Sequence, residues 1–421
     1  MSMPLAKEGL KGNDMVDISV YRSDFPVLSK EMNGKPVIYL DTGASAQKPQ
    51  QVLDAMSEIL SSHYSNVHRG LYNFSQVNTE AFEGVRTKVA RFISAPSDQE
   101  IVFTKNTTEA INLVAESWGR TFLKEGDEII ISEMEHHANI VPWQLLEAGT
   151  GVKVRVIPVL DNGELDLEDF ERLLSDKTRF LAIVHTSNSL GTINPIQKMI
   201  KTAKAFSSDI MTLVDGSQAA VHGAVDVQEL GCDFFVFTGH KLYGPNGVGC
   251  LWGKYDILNQ MPPYQGGGDM IDTVSFSGTT FKAPPARFEA GTPAIVEVIG
   301  LGAAIDYVSE IGMENIAAHE KGLLDYAMTS LNEIEGLNFY GTAQNKAGIV
   351  SFTADWAHPS DMAMILDQQG VAIRTGHHCC MPLMERFGVD ATARMSLGLY
   401  NNRDDIDGFV SALSKAKEML S

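Results

Sequence analysis

The chain has 421 residues, 44% of them apolar, enough to bury a substantial core and to divide into one large and one smaller domain. Its 33 basic and 53 acidic residues leave a net charge of -20, which argues against a broad nucleic-acid-binding face and for a soluble, mutually repelling particle. Four cysteines (Cys232, Cys250, Cys379 and Cys380) are too few for a disulfide framework in so long a chain and point to a reducing cytoplasm.

Residues 1–36 form an N-terminal segment. Met1 to Asp17 lacks the apolar core of a secretory signal and reads as loosely ordered, and the remainder is expected to pack on the smaller domain. Residues 37–299 alternate short β-rich runs with helix-period segments, the pattern of a mostly parallel α/β sheet. The expected strands are Glu100–Thr104, Glu128–Ser132, Val152–Val159, Arg179–Thr186, Met211–Asp215, Asp233–Thr238 and Gly249–Trp252. Several are apolar throughout, as strands covered on both faces are. A helix is expected from Thr108 to about Gly119, with Asn106 and Glu109 spaced as a capping box. Residues 300–421 read as a smaller α+β domain: a long helical run to about Leu331, short strands, a Gly/His/Cys loop at 376–380 and a closing helix from Asp404. No stretch approaches the ~20 apolar residues needed to cross a bilayer.

Lys241 follows an apolar strand inside a polar, glycine-rich turn, Thr238-Gly-His-Lys241-Leu-Tyr-Gly-Pro. A desolvated lysine amine is nucleophilic enough to form a Schiff base, and pyridoxal phosphate is the commonest cofactor to use one. By itself a loop lysine facing solvent is the simpler reading. Asp215, at the carboxyl end of its strand, suits the acidic partner that a pyridinium nitrogen needs, although it also suits a helix cap. Gln218 is three residues on, within reach of a ring hydroxyl. Lys105-Asn-Thr-Thr-Glu109 places a helix N-terminus after a strand, a cradle for phosphate to which Thr107, Thr108, Thr238 and His240 add donors. Capping also accounts for the first two threonines.

Glu135-His-His-Ala-Asn139 should bring His136 or His137 to the same sheet edge, where an imidazole can stack on a cofactor ring. Adjacent histidines on an extended segment point apart, and no other spacing resembles a zinc site, so no metal is expected. In Arg374-Thr-Gly-His-His-Cys379-Cys380 a cysteine sits in a Gly/His loop, the setting of a reactive thiolate rather than a packed side chain. Arg374 and Arg394 offer planar forks to an amino-acid carboxylate. Arg394 lies in an apolar stretch and is hard to explain as a surface side chain.

With Lys241, Asp215, His136 and Cys379 in this order, the sequence resembles the cysteine desulfurases, specifically their SUF-type branch, related to selenocysteine lyases. The resemblance runs from about Asp24 through the last helix and is carried by Leu40-Asp-Thr-Gly-Ala-Ser, Asn66-Val-His-Arg-Gly, Met134-Glu-His-His-Ala-Asn-Ile-Val-Pro-Trp, Thr238-Gly-His-Lys-Leu-Tyr-Gly-Pro and Arg374-Thr-Gly-His-His-Cys. It implies a fold-type-I pyridoxal-phosphate homodimer that converts L-cysteine to L-alanine, with sulfur held as a persulfide on Cys379 for a carrier protein in iron–sulfur cluster assembly. Lys241 would hold the cofactor, with Asp215 at the ring nitrogen and His136 on the ring face. Thr108, Gln218, Thr238 and His240 match cofactor contacts, and Thr292 matches a phosphate contact made from the partner subunit. Asn188 with Arg394 matches carboxylate binding, and Arg374 and His68 match residues near substrate. Selenocysteine lyase is the nearest alternative activity, and another class V enzyme a more distant one. Cys380 departs from the usual small residue after the nucleophile, leaving a neighbouring thiol able to accept or trap the persulfide, and Tyr264-Gln265 departs from the usual aromatic–Glu pair.

Overall fold

The computed structural model describes residues 18–421; the loose N-terminal stretch expected up to Asp17 lies outside them. Seven strands form the central sheet, in the order Ile101–Thr104, Gly249–Gly253, Phe234–Thr238, Met211–Asp215, Thr178–Val184, Glu128–Ser132 and Lys153–Ile157. Only Gly249–Gly253 runs against the rest. In Phe234–Thr238 every residue is buried. Phe235 and Phe237 pack into the apolar layer on one face, Phe234 and Val236 into that on the other, because successive strand side chains point to opposite sides. A continuous apolar run is therefore what a strand covered on both faces requires.

Two expected strands are longer in sequence than in the sheet. Pairing of Val152–Val159 covers Lys153–Ile157, and that of Arg179–Thr186 covers Thr178–Val184. Val159 and Thr186 instead bridge locally to Leu165 and Ile193, so β character continues past the ladder. The helix expected from Thr108 starts at Thr107, and its turns widen into a π-helix over Val114–Gly119. Asn106 caps Glu109 N–H at 2.9 Å, but the Glu109 carboxylate takes Lys105 N–H, at 2.6 Å, rather than that of Asn106. The long helical run after residue 300 is two helices, Ile295–Ile311 and Met313–Leu331. They break at Gly312, whose φ of 90° a side chain would disfavour.

A second, antiparallel sheet has the order Leu337–Tyr340, Ile349–Ala354, Thr392–Ser396, Arg374–Gly376. Its register sets Arg374 directly opposite Arg394, while Asp41 bridges to Ser396 from the N-terminal side. The closing helix is Arg403–Leu420, with an Asn402/Asp405 capping box. The first described residues are held from several sides. Arg22 pairs with Asp405 at 2.8 Å, and Phe25 packs edge-on against Tyr243, Tyr307 and Tyr400. Ile38–Tyr39 adds in parallel to Val371–Ala372. Among the described residues no helix is long and apolar enough to cross a membrane.

Candidate active site

The carboxyl ends of the central strands open into a cavity of ≈ 270 Å³, and most of the side chains singled out from the sequence line it. Asp215 ends its strand there, buried, with Oδ1 accepting from Ser217 N–H at 2.9 Å. The next strand ends at Thr238, whose buried hydroxyl has no hydrogen-bond partner among the described residues. Three residues on, the Lys241 amine enters the same cavity. It forms no ion pair or hydrogen bond among the described residues. Burial lowers its pKa, and the Asp215 charge opposes that shift. A buried, unpaired amine with a depressed pKa is the form that attacks a carbonyl carbon.

The opposite wall is the start of the helix at Thr107. Its first-turn N–H groups have no acceptor within the helix, Thr107 Oγ1 contacts Ser217 Oγ at 2.8 Å, and Thr108 is exposed at the rim. The backbone of the antiparallel strand closes in behind them: a Cβ on Gly249 would lie 2.7 Å from Asn106 Cα. His136 lines the cavity, held by a hydrogen bond from Ala138 N–H to Nδ1 of 3.0 Å. Burial, reinforced by the nearby Lys241 charge, drops its pKa to about 3, so the ring stays neutral. Beneath it Glu135 is fully enclosed and pushed up to about 8 by burial.

The adjacent histidine has a different task. His137 N–H donates to the Cys379 carbonyl at 2.8 Å, and its Nε2 accepts from Met381 N–H at 3.0 Å, so this segment clamps the cysteine loop. His378 and Cys379 both have left-handed backbones, with φ of 50° and 58°, a conformation costly for residues with a Cβ. The turn exposes Cys379 at the cavity mouth and buries Cys380. The Cys380 thiol, pushed up to about 12 by burial, donates to Asn188 Oδ1 at 3.2 Å. Asn188 Nδ2 in turn donates to the His378 carbonyl at 2.7 Å.

Arg394 is 2% exposed. Its guanidinium donates to Asn188 O at 2.8 Å and to Asp41 Oδ1 at 3.2 Å, and its Nε has no partner among the described residues. Burial pulls its pKa down and Asp41 opposes this. Arg374, exposed, shares Asp41 at 3.0 Å. Gln218 and His240 also line the cavity, with His240 lowered to about 4 by burial. Two expected residues lie elsewhere. His68 is exposed and bonded to Glu83 at 2.8 Å, and Thr292 lines a neighbouring cavity with Lys105, Glu109, Tyr264 and Gln265. Sequence reasoning missed Asp41, Gly43 and Ser217, and placed His378 only as part of the Gly/His loop around the cysteine. Asp41 lies in a motif that carries the resemblance, but nothing in the adjacent residues marks it as functional.

The residues fit pyridoxal phosphate: an acid for the ring nitrogen, an unpaired amine for the aldehyde, and an orphaned hydroxyl and open helix turn for the phosphate. A cysteine desulfurase of Yersinia pseudotuberculosis serotype O:1b is 52% identical over 400 residues, 95% of this chain and 98% of that protein. The structure of the cysteine desulfurase CsdA from Escherichia coli, in an S-sulfonic acid form, superposes with a TM-score of 0.90 at 37% identity, covering 97% of this chain and all of that one (100%). The apo cysteine desulfurase of Thermococcus onnurineus NA1 gives 0.89 at 37% identity, covering 98% and 99%. The sequence also matches the Aminotransferase class-V family over residues 38–409, and with that span and these relatives the chain belongs to the class-V aminotransferases, pyridoxal-phosphate enzymes of fold type I.

Proposed function

We propose that this protein is a cysteine desulfurase that converts L-cysteine to L-alanine and holds the released sulfur as a persulfide on Cys379. The observation that carries this reading is the convergence of Lys241 and Cys379, from separate parts of the chain, on one cavity that also contains Asp215, His136 and Arg394. An ordinary transamination has no use for a cysteine at that mouth.

Pyridoxal phosphate, when bound, supplies an electrophilic aldehyde carbon and an electron-withdrawing ring. Lys241 would hold it, Asp215 would pair with the ring nitrogen, His136 would offer a neutral face, and Thr107, Thr108, Thr238 and His240 would serve the phosphate. Arg394 and Asn188 receive the substrate carboxylate, Arg394 through a fork whose Nε has no partner among the described residues. Lys241, with its lowered proton affinity, takes the substrate α-proton and returns a proton. The Cys379 thiolate bonds to the substrate sulfur as the carbon–sulfur bond breaks. Protonation of the carbon left behind gives alanine, and Cys379 carries one additional sulfur.

The exposure of Cys379 supports transfer to a carrier protein, with iron–sulfur cluster assembly as the destination. The proposal extends to a cytoplasmic homodimer in which Thr292, outside its own chain's cavity, serves the partner's phosphate and His68 lies near the substrate. It also takes residues 37–299 as the cofactor-binding domain and 300–421 as the domain bearing the persulfide loop. The test is release of alanine and sulfide from L-cysteine with a thiol reductant, comparing the unmodified protein with Cys379→Ala. Activity lost with the cofactor retained is the expected result. Equal activity in both would remove Cys379 from the reaction.

A further inference from the structure

Behind the cavity wall lies a chain of three buried polar side chains that the mechanism above does not use. Gln218 precedes the short helix Ala219–His222, and its Nε2 donates to the Gly43 carbonyl at 2.8 Å. His222 Nε2 lies 3.2 Å from Gln218 Oε1, and His222 Nδ1 lies 2.6 Å from Glu320 Oε2 on the helix Met313–Leu331. Gln218, His222 and Glu320 are 2%, 8% and 2% exposed.

The direction of these bonds follows from the end that cannot change. A carbonyl only accepts, so the Gln218 amide nitrogen faces Gly43 and its oxygen faces His222, whose Nε2 must therefore carry a proton and donate. The other imidazole nitrogen faces a carboxylate with one further proton between them, a short charge-assisted contact. Glu320 Oε1 has no partner among the described residues, so the imidazole is the only hydrogen-bond partner that this carboxylate has there. Tyr243 and Tyr400 are the other titratable groups that its charge reaches. Such a run of donors polarises each bond in turn.

We propose that His222 and Glu320 are positioning residues for Gln218: they lock its amide so that its second N–H serves the cavity as a strengthened donor to the ring hydroxyl of the cofactor. The inference rests on the reading of the cavity as a pyridoxal-phosphate site. It also ties that hydroxyl's surroundings to the helix Met313–Leu331, which the cavity itself does not include.

Glu320→Gln keeps the shape and a hydrogen bond to Nδ1 but removes the charge and the shared proton. The measurement is the visible absorbance of the pyridoxal-phosphate-loaded protein as a function of pH. A weaker donor stabilises the ring phenolate less, so the spectral midpoint is expected to rise by roughly half a pH unit or more in the variant. A spectrum and midpoint superimposable on those of the unmodified protein would overturn the proposal. Should Glu320→Gln not fold, as judged by circular dichroism, His222→Gln is read in the same way and with the same expected direction. If the unmodified protein stays colourless with pyridoxal phosphate, the functional reading falls and this inference falls with it. A coloured protein whose variants are unchanged defeats this inference alone.

Discussion

Replacing Asp41 with asparagine isolates the electrostatics that hold the carboxylate-binding arginine in place. Arg394 has a side chain only 2% exposed, and its one ion-pair partner among the described residues is Asp41, itself 14% exposed, at 3.2 Å. The cross-strand neighbour of Arg394 is another arginine, Arg374, so without Asp41 two like charges face each other across a ladder. Removing one partner of a buried pair costs about 3–5 kcal/mol. Asparagine keeps an accepting oxygen, and Arg394 keeps Asn188 O at 2.8 Å, so the lower end applies, ~3 kcal/mol. At about 2.1 cal/mol/K of unfolding entropy per residue, a chain of this length loses roughly 3 °C in Tm for that energy. Scanning calorimetry at neutral pH reads the shift, with Asp161→Asn as control. Asp161 pairs with Arg386 at 2.7 Å but is 97% exposed, and its loss should move Tm by less than about 1 °C. If the two variants melt together, burial does not set the strength of the Asp41 contact and the account of Arg394 is wrong.

Glu135 predicts a pH dependence. Its folded pKa is raised to about 8, chiefly by burial, so the folded state holds a proton that the unfolded chain releases near its ordinary value. The stability that this contributes is complete at acid pH and is lost as pH rises to about 8. Glu135→Gln should therefore gain on the unmodified protein in thermal melts between about pH 5 and 8, and parallel curves would contradict it. Cysteine alkylation should modify Cys379 alone in the native protein, because the other three thiols are buried. Intact mass after iodoacetamide should show a single adduct, rising to four on unfolding, and early labelling of Cys380 would refute the assigned turn. Gly249→Ala places a Cβ against the backbone of Asn106 at 2.7 Å and displaces the helix start at Thr107. Titration followed by absorbance should show pyridoxal phosphate binding weakened by about tenfold or more, on the scale of 1–3 kcal/mol for overpacking. Unchanged uptake would remove that turn from the phosphate site.

The elements that could be read most sharply are those whose residues obey a local rule. Met211–Asp215 coincides with its expected span because an apolar run ends in Asp-Gly-Ser, which punctuates it chemically. Val152–Val159 reads too long because β propensity is a property of the residues, whereas strand limits depend on where the neighbouring strand stops pairing. The break at Gly312 is not legible in the sequence because helical periodicity resumes at once after it. Within the site, Lys241, Asp215 and His136 are legible because each is a chemically loaded residue at or just beyond the end of an apolar strand, and Cys379 because it is a thiol in a polar Gly/His loop instead of an apolar strand. Asp41 is not, since a carboxylate beyond a short strand looks like an ordinary turn until Arg394, 353 positions away, comes to rest beside it.

Composition, apolar run length and turn chemistry therefore determined by themselves a mostly parallel α/β body, a smaller α+β region and a shortlist of reactive side chains. These are short-range properties, written in consecutive residues. Tertiary structure alone decided which of those side chains share a cavity, that Cys379 faces out while Cys380 faces in, and that His222 and Glu320 stand behind Gln218. Those outcomes depend on strand order, register and desolvation, which arise only when segments hundreds of residues apart are packed together and water is excluded between them.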